Sequence, residues 1–491
     1  MKRIIVFVFV ICLTAVSGCF KDGGDTPNSS AVESSSVAQR PESNETQPFT
    51  LAYNSSDTLN PYTAKTSVNL ELCSLIYEGL TKFDNTLKAK PMLASEIKVP
   101  SKTTLIAQLR KNIRFSDGSA VTVKDVIASF SLAKNSKNYK VLLSNIKSAK
   151  ADEDENIVFE LASPDINAQS CLSFPIIKQD KKDTQPLGTG LYVFSDGETP
   201  HLKTNTHCDL KPKIDKIHLL DCPDTDAMHY ALESGKISYF YSDLADGNIP
   251  RTSNASIKVE LNSLVFIGIN SKHSALAEAE VREALSIAIN RSDICSVAFA
   301  GRARPATAPF NPAWVNLKGF KSSENISKAV AQLEQSGYNN KSALKLLVSE
   351  ENSFRLASAE ILVSQFERAG VSLEVKKLPF KEFLKQVKAG NFDLYLGEIH
   401  LPADMSLRFF FTKGAGASYG INVNTDSADA YFKYLSGEMP IQEFTDIFIK
   451  DVPFIPLCWR DGMAAYSRRL TGVAPTALNI FNEFDKWVFT K

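Results

Sequence analysis

The chain has 491 residues, with 55 basic and 55 acidic side chains and hence a formal charge of zero; 44% of its residues are hydrophobic and 10% aromatic. That apolar content is enough for a substantial core and excludes wholesale disorder, while the balanced charge excludes a general nucleic-acid binder, which needs a cationic surplus against phosphate. At roughly 100–200 residues per domain the length allows two to four domains.

Met1-Lys2-Arg3 precedes an uncharged run over residues 4–13 and then Thr14-Ala15-Val16-Ser17-Gly18-Cys19. The apolar run is about half of the ~20 residues that a spanning helix needs, so residues 1–18 read as a signal peptide for export. Ser17 and Gly18 directly before Cys19 resemble the lipobox of bacterial lipoproteins. That implies acylation of Cys19, with palmitate-type chains, and attachment to a membrane surface. An ordinary signal peptide with an incidental cysteine is the plainer alternative. Residues 19–48 are serine-rich with no aromatic after Phe20, too polar to repay their ordering entropy, and are expected to be a flexible, lipid-anchored linker.

Residues 49–53 form a short apolar strand, after which Leu70, Cys73, Leu75, Ile76 and Leu80 recur at helical spacing. Residues 103–109 alternate like a strand. Thr122-Val123-Lys124-Asp125 has the pattern of a capping box opening a helix to residue 133. Strands follow at 156–161 and 214–220, and a strand with an internal glycine at 264–270. Helices are predicted at 279–289 and 292–299, then a loop with Pro305, Pro309 and Pro312, then a helix at 327–336. The order strand 344–348, helix 354–369, strand 372–376, helix 380–389, strand 392–396 predicts a sheet with parallel pairs covered by helices. The tail from Phe454 is strand-like and too short for a domain of its own. The body cysteines, Cys73, Cys171, Cys208, Cys222, Cys295 and Cys458, are irregularly spaced and expected to be mostly buried thiols; Cys208 with Cys222, flanking the 214–220 strand, is the pair to test for a disulfide.

An ordered set of motifs runs along the body: Leu59-Asn60-Pro61, Ile76-Tyr77-Glu78-Gly79-Leu80, Leu109-Arg110 through Phe115-Ser116-Asp117-Gly118, Val121 to Val126, Gly188-Thr189-Gly190-Leu191-Tyr192, Gly268-Ile269-Asn270, Val281-Arg282 through Asn290-Arg291, and Pro453 to Leu457. Together they resemble the peptide-binding lipoproteins of ABC importers, solute-binding family 5, over residues 49–491. The resemblance implies an α/β, two-lobed periplasmic-binding-protein-like fold of the type II, large cluster C kind, with hinge strands between the lobes near residues 265–270 and 451–456. It divides the chain into lobe I at 49–266 with an inserted subdomain at about 83–184, lobe II at 267–450, and a return to lobe I at 451–491. The motifs themselves read as scaffold. The implied function is capture of oligopeptides between closing lobes on the extracytoplasmic face of the cell membrane and delivery to the permease subunits of an ABC transporter. The protein would act as a monomer, without catalysis, cofactor or nucleic acid.

A peptide offers a pairing backbone, one ammonium and one carboxylate. Relatives that hold the amine do so with an aspartate after the strand matching 392–396, which aligns here with Asp404 once the loop is shortened; Glu398 is the alternative acid. Where dipeptide-binding relatives carry an arginine for the carboxylate, this chain has Ser349-Glu350-Glu351-Asn352, a departure that favours longer or cationic ligands. Arg355 begins a helix and is expected at the surface. Tyr53, Asn54, Tyr419, Trp459 and Arg460 are further cleft candidates at strand ends.

Two other functions have partial support in the sequence. Gly416-Ala417-Ser418-Tyr419-Gly420 matches the pattern of a secreted serine hydrolase, which requires a strand before the serine and a helix after it. Some relatives carry nickel complexes or haem, yet the six histidines form no metal-binding spacing; His400 is the one placed near the cleft.

Overall fold

The computed structural model describes residues 47–178, 185–317, 324–339, 342–422 and 425–490. Cys19 and the linker as far as Thr46 lie outside the described residues.

One large sheet organises the chain. Its strands run in the order Leu373–Leu378, Leu344–Ser349, Leu394–His400, Ala255–Ile269, Phe454–Tyr466, Tyr239–Ser242, Thr50–Tyr53, Lys216–Asp221, His201–Thr204 and Tyr192–Ser195. Ala303–Pro305 adds an eleventh strand beside Phe454–Tyr466. The predicted parallel pairs are present: Leu344–Ser349 runs parallel to both Leu373–Leu378 and Leu394–His400. A separate four-stranded antiparallel sheet contains Ala94–Ser101, Thr104–Leu109, Ile157–Leu161 and Ile146–Ala151.

Local chemistry accounts for the element ends. Thr122 and Asp125 form the reciprocal capping box of the Val123–Asn135 helix, satisfying two N–H groups that the helix leaves open. Asn352 Oδ1 accepts from Arg355 N at 2.9 Å and starts the Ser353–Arg368 helix. Gly118 closes its predicted turn at φ 85°, donating to Phe115 O. The Gly188-Thr189-Gly190 motif earns its glycines by close approach: a Cβ at Gly188 would lie 2.1 Å from Ile76 O. Thr189 Oγ1 donates to Glu78 at 2.9 Å, tying two motifs together.

The two arginines of the 281–291 motif are buried clamps. Arg282 donates to the carbonyls of Asp451, Val452, Leu276 and Ala277 and pairs with the Asp451 carboxylate at 2.8 Å. It thereby caps the Ile441–Asp451 helix, which ends at Val452 in the left-handed region (φ 46°). Arg291 donates to Pro456 O at 2.8 Å.

Two expectations change. The strand predicted at 264–270 is the second half of Ala255–Ile269; Ile257, Val259 and Leu261 alternate with Lys258 and Glu260, the pattern of a half-buried strand. The helix predicted at 292–299 is a short α-turn, Arg291–Asp293, followed by a π-helix over Ile294–Ala298. Apolar periodicity does not separate that wider turn from an α-helix.

Ala255–Ile269 and Phe454–Tyr466 are the long strands of the sheet and pair antiparallel. Their register slips twice. Glu260 faces Asp461 but Ser263 faces Arg460, leaving Leu261 and Asn262 outside the ladder; Val265 faces Cys458 but Phe266 faces Pro456. Leu401 N donates to Asn262 O, and Asn311 Nδ2 to Leu261 O, so a loop amide and a side chain replace the missing ladder partners.

Candidate functional site

Around the first slip, polar side chains from four elements meet in the middle of the sheet. Arg460 directs Nη2 and Nε to Glu398 Oε1 at 2.6 and 2.7 Å. Arg355 Nη1 reaches the other carboxylate oxygen at 3.3 Å. Opposite Arg460 in the ladder, Ser263 Oγ lies 3.3 Å from His400 Nδ1. Arg355 is therefore not a surface residue: its side chain is 18% exposed, that of Glu398 13% and that of Arg460 3%. Two cations bracket one anion where solvent screens little, so the cluster survives only as a unit.

Several N–H donors near the slip have no partner: Arg460 Nη1, Arg355 Nε, Asn262 Nδ2 and Trp459 Nε1. Among the described residues all four lack an acceptor. Carbonyl and carboxylate oxygens are the acceptors that such donors take.

Two acids, Glu71 and Asp243, act with Arg460 on the same tyrosine, Tyr241. Burial pushes the Glu71 carboxyl, on the Ser67–Ile76 helix, up to about 8, and the charge of Asp243 adds to the shift. Among the described residues no hydrogen bond or ion pair reaches that carboxylate. Burial also raises the Tyr241 phenol, with Glu71 and Asp243 reinforcing and Arg460 opposing.

Asp404 stands apart from this group. It lies in the loop after Leu394–His400, 7% exposed, with Cys171 Sγ at 3.7 Å from Oδ2 and Ser406 N donating to Oδ1. Burial, then the charge of Asp165, pushes its carboxyl up to about 7. Arg408 Nη2 lies 3.4 Å from Asp165 Oδ2 and also donates to Pro164 O. Ile166 N donates to Leu435 O and Asn167 Nδ2 to Tyr434 Oη, and Lys102, between the Ala94–Ser101 and Thr104–Leu109 strands, pairs with Glu438.

The other sequence candidates fall elsewhere. Tyr53 ends its strand with its carbonyl accepting from Cys222 N. Asn54 is buried, exchanging hydrogen bonds with Asn69. Tyr419 packs against the apolar cluster around Phe266 and Tyr395, and Trp459 is fully buried in that cluster. Of the seven, only Glu398 and Arg460 touch. Arg355, Ser263 and Glu71 were missed, because no local pattern marks a polar side chain whose neighbours come from distant elements. Ser418 lies in a loop with Oγ donating to Ala415 O, after the short Arg408–Phe411 helix, so it lacks the strand and helix a hydrolase nucleophile requires. No group of three metal-ligating side chains occurs among the described residues. A cavity of about 510 Å³, lined by Glu78, Lys82, Arg110, Arg114, His207 and Cys208, shares no residue with the slip cluster.

Residues 88–418 match the family model described as bacterial extracellular solute-binding proteins, family 5 Middle. The oligopeptide-binding protein AppA of Bacillus subtilis is 24% identical over 363 residues, covering 65% of this chain and 67% of that protein. The glutathione-binding protein GsiB of Salmonella choleraesuis is 22% identical over 462 residues, covering 84% of this chain and 89% of that protein. Among solved structures, HbpA2 of Haemophilus parasuis superposes with a TM-score of 0.75 at 18% identity, covering 91% of this chain and 100% of that one; this likeness shows the fold. The mixed α/β architecture is accordingly the two-lobed one, and proteins of this kind are extracytoplasmic binding proteins of ABC importers rather than enzymes. With the family model spanning well over half of its length, the chain belongs to the bacterial extracellular solute-binding proteins of family 5.

Proposed function

We propose that this protein is anchored to the membrane through Cys19, captures oligopeptides between its lobes and hands them to the permease of an ABC importer. The observation that carries the peptide reading is the set of unpartnered N–H donors around the register slip. An extended peptide presents a carbonyl at every residue, whereas a compact cation presents none. The relatives named for oligopeptide and glutathione binding support the same class.

In this reading the two long strands are the hinge, bending where Leu261 and Asn262 leave the ladder. The bonds of residues 164–167 to Arg408, Tyr434 and Leu435, and those of Asn352 and Ser353 to the carbonyls of Ala245 and Gly247, hold the lobes closed. Asp404 takes the peptide amine: Glu398 is already neutralised by two arginines, while Asp404 carries a carboxyl poised to ionise against an incoming ammonium.

Native mass spectrometry of the protein isolated from its host tests the class. Retained peptides support the reading. A cleft that carries a nickel complex or haem instead, or that ignores a peptide library, overturns it. Asp404→Asn should weaken binding of free-amine peptides about tenfold or more while leaving N-acetylated peptides unchanged; equal losses would move the amine elsewhere.

A further inference from the structure

The cavity of about 510 Å³ takes no part in the capture of peptides described above, and its size falls within the ~300–1,000 Å³ of small-molecule sites. Its lining lies between residues 78 and 210, so none of it comes from the 267–450 half of the chain. Three of the sequence motifs converge there, supplying Glu78, then Arg110 with Arg114, then Thr189. Hydrogen bonds fix these segments against one another: Arg110 N donates to Leu93 O at 2.9 Å, and Thr189 Oγ1 to Glu78 Oε2 at 2.9 Å.

The lining joins positive charge to apolar surface. Lys82, Arg110 and Arg114 outnumber the two acids, Glu78 and Asp209. Burial pushes the Glu78 carboxyl up to about 7, which widens the surplus near neutral pH. Arg110 has an edge of its guanidinium to spare. Its Nη1 pairs with Asp209 at 3.2 Å, whereas its Nε is buried and finds no acceptor among the described residues. Such an edge takes a carboxylate through two parallel N–H bonds, one from Nε and one from the neighbouring Nη. Met92, Leu93, Ile113 and Leu210 supply the apolar part, and Leu210 is left 41% exposed. A bare inorganic anion would leave that surface wet, so the occupant needs a hydrocarbon body as well as a charge.

We propose that this cavity is a second ligand site, which binds a small organic carboxylate. The carboxylate lies on the open edge of Arg110, with Lys82 and Arg114 adding attraction. The hydrocarbon body covers Met92, Leu93, Ile113 and Leu210, and removing that surface from water adds to the binding. Because Glu398, Arg460 and Asp404 are absent from the lining, the site fills independently of the peptide.

Calorimetric titration of the full chain with 4-phenylbutanoate tests the site, with 4-phenylbutan-1-ol as the uncharged counterpart. The acid should bind at one site and about tenfold or more tightly than the alcohol. Arg110→Met should weaken the acid about tenfold while leaving the alcohol and oligopeptides unaffected. Its ion-pair partner Asp209 is 76% exposed, so the substitution strands no buried charge. Should the variant fail to fold, a photoreactive diazirine derivative of the acid locates the site in the parent, and labels among residues 78–114 and 187–210 support the proposal. No binding of the acid at about 1 mM, equal affinities for acid and alcohol, an undiminished affinity in Arg110→Met, or labels elsewhere in the chain would overturn it.

Discussion

Two acids, Glu398 on a strand and Asp404 in the loop after it, are treated in opposite ways by the structure. Glu398 lies between two guanidiniums, so its charge is answered and locked into the sheet. Asp404 lies beside a second acid, Asp165, and a thiol; Arg408 bonds to Asp165. The first site has surplus donors and the second surplus carboxylates. Sequence proximity made them interchangeable candidates for one role. Their surroundings divide the work: an ion pair that fixes the sheet, and a titratable contact able to respond to a cation.

That contrast can be broken most severely at Arg460. Arg460→Met leaves Glu398 with the weaker Arg355 contact in a nearly closed site and should cost about 3 kcal/mol in denaturant unfolding. The double variant Arg460→Met/Glu398→Leu should recover much of the loss, since the stranded charge is gone. Asp404→Asn should act through pH instead. Its carboxyl is raised from 3.8 to about 7 in the folded protein, so the stability held by its protonated form is complete below about pH 4 and lost as pH rises through about 7. The variant should flatten that decline between pH 4 and 8, again by denaturant unfolding; an unchanged slope would assign the pH dependence to other groups such as Glu71. Smallest is Lys102→Ala. Lys102 and Glu438 form an ion pair as Asp165 and Arg408 do, but both are more than half exposed, and thermal melts should not distinguish the variant from the parent.

Much of the fold was legible because it depends on local rules. Thr122 and Asp125 announce a helix start within four residues, Gly118 a turn, and the 344–396 run its parallel strands. The polar cluster was hardly legible, because Glu398 meets its arginines only through the strand order of the sheet, and nothing near Arg355 distinguishes it from a surface residue on a helix. The same holds for the thiols. Cys208 and Cys222 flank one strand in sequence, yet both are buried free thiols, because closeness in the chain does not set the distance between two side chains in the sheet. The π-helix was hidden by its resemblance to α-periodicity, and the length of Ala255–Ile269 by the charged residues on its outer face.

The register slip also bears on hydrogen exchange. Leu261 and Asn262 leave the ladder in the middle of the longest strand pair, so the hydrogen bonds on either side belong to separate runs. Amides of residues 255–260 and of residues 263–265 should therefore open as separate cooperative units with different protection, rather than as parts of one long ribbon. A strand pair that is continuous in the chain is thus divided in its stability at the point where its polar side chains converge.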